Sequence, residues 1–153
     1  MKFEKIVFLM ITISICTVLI TTQLQTQDSI SVLVNNSGPY IGTAIPHDYG
    51  FDGSGIIISV IDTGVDFNHP DLLGLGIGGY DFVDNDETPQ DSNGHGTQVA
   101  GIIASNGNLK GIAPNSKILA YRVSEDGESV SSNLIIKAIE KSISDNADII
   151  NIS

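Results

Sequence analysis

The sequence predicts an α/β domain built on a parallel sheet with helices on both faces. Three observations predict it. Ile/Val-rich runs at Ile56–Ile61, Lys117–Val123 and Ala147–Ser153 are bounded by turn residues, the pattern of strands buried on both sides. Stretches with three- and four-residue apolar spacing lie between them, and strands alternating with helices give a parallel sheet with right-handed crossovers. The first run ends abruptly in Asp62-Thr63-Gly64. That puts a carboxylate at the carboxyl edge of the sheet, where open α/β folds place their ligands and chemistry.

The elements follow in order. Met1–Lys5 is short and basic, and Ile6–Ile20 is an apolar core of about 15 residues, the length of a signal-peptide core. A spanning helix needs about 20 residues. Residues 1–23 therefore read as a signal peptide or a membrane anchor, since Thr21–Gln27 offers no small-x-small cleavage site. The chain is expected to be secreted or membrane-anchored outside the cytoplasm. Residues 24–40 read as a linker, because Asp28–Ile45 carries Ser, Asn, Gly and Pro without a clean period, and residues 41–153 read as the domain.

A Gly53-Ser54-Gly55 turn precedes the first strand. Asp66–Gly79, with Pro70 and a run of glycines, reads as a loop. Tyr80–Val83 reads as a short strand, followed by the acidic stretch Asp84–Asp91. Val99, Ile102 and Ile103 have helical spacing, so a helix starts near His95. Gly101 inside it costs about 1 kcal/mol against alanine, and close backbone packing on the sheet is the expected compensation. Glu125-Asp126-Gly127 marks a turn. Ser129–Asp145 is amphipathic, with Val130, Leu134, Ala138, Ile139 and Ile143 on one stripe and Ser129 or Ser131 as cap. No internal repeat is present.

Composition limits the function. The chain has 153 residues, room for one domain, and 18 acidic against 7 basic residues give a formal charge of −11. Such a balance argues against nucleic-acid backbones and anionic membrane surfaces as partners and is compatible with cation binding. The single cysteine, Cys16, excludes an intrachain disulfide.

Two motifs carry the chemistry: VIDTGVDFNHPDL around Asp62 and NGHGTQVAGIIA around His95, the two residues standing 33 positions apart. Asp-Thr-Gly alone is a common turn, and a histidine after glycine is a common helix start. Together, and followed by GIAPNSKILAYRV and ADIINIS, they resemble the aspartate and histidine motifs of the subtilisin-like serine proteases from about Ile41 onward. The resemblance implies a serine endopeptidase with an Asp-His-Ser triad. A serine hydroxyl needs an imidazole to take its proton, and the imidazole needs a carboxylate to fix its tautomer and stabilise the imidazolium. His95 would be that base and Asp62 its orienter. At a helix start, His95 also meets the positive end of the helix dipole, which the charge of Asp62 offsets. His69 matches a histidine that shapes its loop, and His47 reads as a surface residue.

The sequence departs from the family pattern in two places. Gln98 stands where the family has histidine, a local change one helical turn past the base. The nucleophile motif Gly-Thr-Ser-Met-Ala and the asparagine that donates to the oxyanion are both missing from the 153 residues. In subtilisin, a member of this family, losing the serine costs about as much rate as losing the whole triad. The expectation is an incomplete subtilisin-like fold, a truncated catalytic domain that does not cleave peptides alone, with Ile149–Ile152 as an apolar edge open to aggregation.

The stretch YDFVDNDETPQD resembles the calcium loop of thermitase-type family members, which implies Ca2+ ligands at Asp81, Asp84, Asp86, Thr88 and Gln90. Oxygen donors at this spacing suit a hard cation. The family's other calcium loop has no counterpart, since Asn106–Lys110 is too short, so Asp71 is expected to hold no metal. The family binds an extended peptide by strand addition, which implies substrate contacts at Gly127, Glu128 and Ser129 on one edge and Ser153 on the other. Two rivals carry different expectations. An aspartic protease of the small homodimeric type would share Asp62-Thr63-Gly64 but be all-β. A degraded protease acting as a calcium-binding or interaction module would fold with calcium and hydrolyse nothing.

Overall fold

The computed structural model describes residues 42–153. The expected signal or anchor segment, Cys16 and the linker of residues 24–40 lie outside the described residues. Seven elements follow in order: α1 (Ala44–Asp48), β1 (Ile57–Asp62), β2 (Gly76–Asp81), α2 (His95–Ala104), β3 (Lys117–Arg122), α3 (Ser132–Ser144) and β4 (Ile149–Ile152). The four strands form one parallel sheet in the order β2-β3-β1-β4. This is the α/β architecture expected, and the all-β rival is excluded by it.

Strand alternation sorts the side chains into two cores. Ile58 and Val60 of β1 and Ile118 and Ala120 of β3 pack with Ala100 and Ala104 of α2. Ile61, Leu119 and Tyr121 pack on the opposite face with Ala138, Leu134 and Ile139 of α3. Helices therefore cover both faces. One buried polar contact joins α3 to the sheet: Ser59 Oγ lies 2.7 Å from Ser142 Oγ, and Ser142 Oγ also donates to the Ala138 carbonyl. Both hydroxyls are satisfied, as burial requires.

Six expectations need correction. The second strand begins at Gly76, inside the expected loop, and ends at Asp81. Its glycines hid it, but a Cβ on Gly79 would lie 1.8 Å from the Ala120 carbonyl oxygen, so this strand lies too close to β3 for a side chain. Helix α2 buries Gly96, Ala100, Gly101 and Ala104, while Ile102 and Ile103 are only half-buried. Gly101 is not the point of close approach, since a Cβ there would touch nothing within 4 Å; that role falls to Gly96. On α3, Ile143 is 65% exposed and Ser142 takes its place on the buried stripe, and the cap residue Ser131 makes no side-chain bond. His47 is half-buried with Nε2 2.8 Å from the Ile112 carbonyl, so it ties α1 to the loop before β3.

Candidate active site

Asp62 closes β1 and His95 opens α2, and the two side chains meet. His95 Nδ1 lies 2.7 Å from Asp62 Oδ1. The Asp62 side chain is 1% exposed and that of His95 49%. An ionised carboxylate only accepts hydrogen bonds, so Nδ1 carries the proton and Nε2 is left with a lone pair in the neutral ring. Asp62 Oδ1 also accepts the Thr63 amide at 2.7 Å. Asp62 Oδ2 is buried without a hydrogen-bond partner among the described residues.

Contact between the two elements depends on Gly96. Its ideal Cβ would lie 2.1 Å from the Gly64 carbonyl oxygen and 3.1 Å from Asp62 Cβ. Gly64 has φ +101°, and a side chain there would press on the Pro89 carbonyl at 2.7 Å. Only glycine combines that backbone with that space. Val65 donates to the same Pro89 carbonyl at 2.9 Å, which joins the aspartate segment to the loop before α2.

One neighbour of the pair, Asp91, was not singled out from the sequence. Asp91 accepts from Thr63 Oγ1, from the amides of Asn93, Gly94 and Thr97, and from Thr97 Oγ1. Burial pushes the Asp91 carboxyl up, but the hydrogen bonds from Gly94, Thr97 and Asn93 outweigh it and hold it below the usual carboxylate value. The signal was available: an aspartate before a helix, with a threonine in its first turn, has the composition of a capped helix start.

The expected peptide-binding residues are placed in part around the pair. Gly127, Glu128 and Ser153 line one small cavity of about 50 Å³ together with Asp62, Thr63 and Ser124. Ser129 is not among its walls. The Gly127 amide donates to Ser124 Oγ at 3.0 Å, and the Glu128 and Ser129 amides donate to Asp126 Oδ1 at 2.9 and 3.0 Å. Hydrogen bonds from the Ser129 and Glu128 amides hold the Asp126 carboxyl below its ordinary value. Asn93 Nδ2 donates to the Asp126 carbonyl at 2.9 Å, tying this turn to the histidine loop.

The acidic loop is arranged around an arginine. Arg122 Nη1 donates to Asp81 Oδ2 at 2.8 Å and to Asp84 Oδ2 at 2.6 Å. Asp86 Oδ1 accepts the Thr88 amide, and Gln90 faces a separate cavity of about 280 Å³ that includes Phe67 and Thr88. Among the described residues no group of three or more His, Cys, Asp or Glu side chains is placed to hold a metal ion. Of the five expected calcium ligands, Asp81 and Asp84 are each bonded to the Arg122 guanidinium, whose single positive charge offsets only one of the two carboxylates. Asp71 is buried and its Oδ1 accepts the Asn108 amide at 2.6 Å, so this carboxylate holds a loop. His69 Nδ1 accepts the Asp71 amide at 3.2 Å, the loop-shaping contact expected of it. Gln98 is exposed.

Comparison with known proteins agrees with this geometry. The family model described as "Subtilase family" matches residues 53–153. The minor extracellular protease Vpr of Bacillus subtilis (strain 168) is 42% identical over 139 residues, covering 83% of this chain and 17% of Vpr. Thermitase of Thermoactinomyces vulgaris is 45% identical over 106 residues, covering 67% of this chain and 38% of thermitase. The crystal structure of a cold-adapted subtilisin-like serine proteinase superposes with a TM-score of 0.56 at 44% identity, over 63% of this chain and 34% of that one. The chain thus spans a minor part of the length of each relative. With its motifs, its sheet and its Asp–His contact in agreement, the chain belongs to the subtilase family.

Proposed function

We propose that the chain is part of a serine endopeptidase in which Asp62 orients His95 and His95 acts as general base. The observation that carries this reading is the 2.7 Å contact from His95 Nδ1 to a buried carboxylate, on a ring that is half open to solvent. With Nδ1 committed, the Nε2 lone pair takes the proton from a serine hydroxyl as its oxygen attacks the peptide carbonyl. Asp62 stabilises the resulting imidazolium, which then gives the proton to the leaving amine. This reading needs a serine nucleophile and oxyanion donors besides Asp62 and His95, and the Gly-Thr-Ser-Met-Ala motif does not occur in these 153 residues.

The substrate in this reading is an extended peptide or protein segment. The cavity beside Asp62 supports contacts at Gly127, Glu128 and Ser153, and the exposed strip at Glu125–Val130 supports Ser129 as a further contact. Secretion is supported by the description of the relative Vpr as extracellular. No helix among the described residues is long and apolar enough to cross a membrane. Calcium at the 81–90 loop is supported only by its oxygen donors and would have to displace Arg122 from Asp81 and Asp84. Calorimetric titration of the chain with calcium chloride tests that part; absence of binding heat removes it.

The test of the main reading uses the complete polypeptide that contains this chain. Peptide hydrolysis blocked by a fluorophosphonate and indifferent to pepstatin is the expected result. Hydrolysis blocked by pepstatin, or calcium-dependent folding with no hydrolysis at all, overturns it.

A further inference from the structure

The aspartate and histidine motifs are joined by two parallel rungs. The first is Asp62 Oδ1 to His95 Nδ1 at 2.7 Å. The second lies one residue on in both segments: the Gly96 amide donates to Thr63 Oγ1 at 2.9 Å. Thr63 is 1% exposed, so its hydroxyl has no water to fall back on. A hydroxyl has one proton to give, and here it goes to Asp91 Oδ1 at 2.9 Å. That donation fixes the rotor and turns the oxygen lone pairs toward the Gly96 amide.

Asp91 also holds the other side of the histidine. Its Oδ1 takes the amides of Asn93 at 3.0 Å and Gly94 at 2.8 Å, and its Oδ2 takes the Thr97 amide at 2.9 Å and the Thr97 hydroxyl at 2.5 Å. Five donors, two from threonine hydroxyls and three from amides flanking His95, converge on one carboxylate. Two donors would suffice to satisfy an aspartate at a helix start, and neither would need to come from the strand that carries Asp62. We propose that Asp91 is a positioning residue: through the Thr63 hydroxyl and the Gly94 and Thr97 amides, it sets the His95 ring against Asp62. The proposal rests on the reading of His95 as the base, because that role requires the Nδ1–H tautomer.

The experiment reads the tautomer and needs no nucleophile. Ring nitrogen shifts of His95 are measured in the full 153-residue chain, at a pH where the ring is neutral, together with exchange of the Nδ1 proton with water. In the unsubstituted chain the Nδ1–H form dominates and its proton exchanges slowly. In Asp91→Ala the ring shifts toward the Nε2–H form that free imidazole prefers, and Nδ1 exchange accelerates about fivefold or more, the equilibrium equivalent of one lost hydrogen bond. A folded Asp91→Ala chain that keeps the unsubstituted tautomer and exchange rate overturns the proposal. If Asp91→Ala does not fold, Thr63→Val and Thr63→Ser decide. Loss in valine with retention in serine supports the relay, and retention in both overturns it. Asp62→Asn separates the two claims: if it leaves His95 unchanged, the catalytic pairing fails, whatever Asp91 does.

Discussion

At Gly96 a single hydrogen atom decides whether the two functional segments touch. A methyl group there meets the Gly64 carbonyl oxygen at 2.1 Å, a backbone atom with no rotamer to yield. Gly96→Ala is expected to destabilise the fold by about 1–3 kcal/mol, the usual cost of overpacking a close-packed site, as a lowered denaturant midpoint. Arg122 is the second decisive residue. Its side chain is 7% exposed and faces Asp81, which is 2% exposed. Removing one partner of a buried pair leaves the other charge uncompensated, at a cost of about 3–5 kcal/mol. Arg122→Met should therefore lower stability by that order in chemical denaturation, and the double variant with Asp81→Leu should recover much of it. A single variant as stable as the parent contradicts the pairing.

At the scale of elements, α3 is clamped to the sheet at its end by Asp145. This carboxylate accepts from Tyr121 OH at 2.7 Å and from Lys141 Nζ at 2.6 Å. Burial pushes its pKa up, but the bonds from Lys141 and Tyr121 outweigh it, and the folded value lies below the ordinary 3.8. With the folded value depressed, the stabilisation is present above the unfolded pKa of 3.8 and fades as pH falls through the folded value. Thermal midpoints measured from neutral pH into the acid range should fall less steeply below pH 3.8 in Asp145→Asn than in the parent. Parallel curves would contradict the clamp.

Elements with an apolar period were legible in the sequence. The Ile/Val runs gave β1, β3 and β4, and three- and four-residue spacing gave α2 and α3. Only the end of β2, at Tyr80 and Asp81, was legible; its start was not, because the requirement there is steric: Gly79 must have no side chain where β3 approaches, and glycine carries no strand signal. For the same reason the buried face of α2 is made of glycine and alanine, which size selects and hydropathy does not. In the site, Asp62 and His95 were legible from their motifs. Asp91 was not, because an acidic run looks like a solvated loop or a cation site until Thr63 and Thr97 are brought to it in space. The arginine that meets Asp81 and Asp84 was hidden for the same reason, since it comes from β3, 38 residues after Asp84.

For the molecule as a whole, the chemistry gathers at the carboxyl ends of the strands. Asp62 ends β1, the turn at Ser124–Ser129 follows β3, and Ser153 follows β4, and members of all three line one cavity. This is where an open parallel sheet presents its loops. Among the described residues β2 and β4 form the two edges of the sheet, and Ile149 and Ile152 of β4 are 53% and 50% exposed. Such an apolar edge favours pairing with a further strand.

The rate at which a fluorophosphonate labels the complete polypeptide tests the central claim most directly, because labelling requires a serine activated by its base. His95→Ala should abolish labelling, and Asp62→Asn should slow it by about 10⁴-fold, the cost of the wrong imidazole tautomer in a related triad. Labelling of His95→Ala at the parent rate would show that the contact between β1 and α2 is not part of the catalytic machinery.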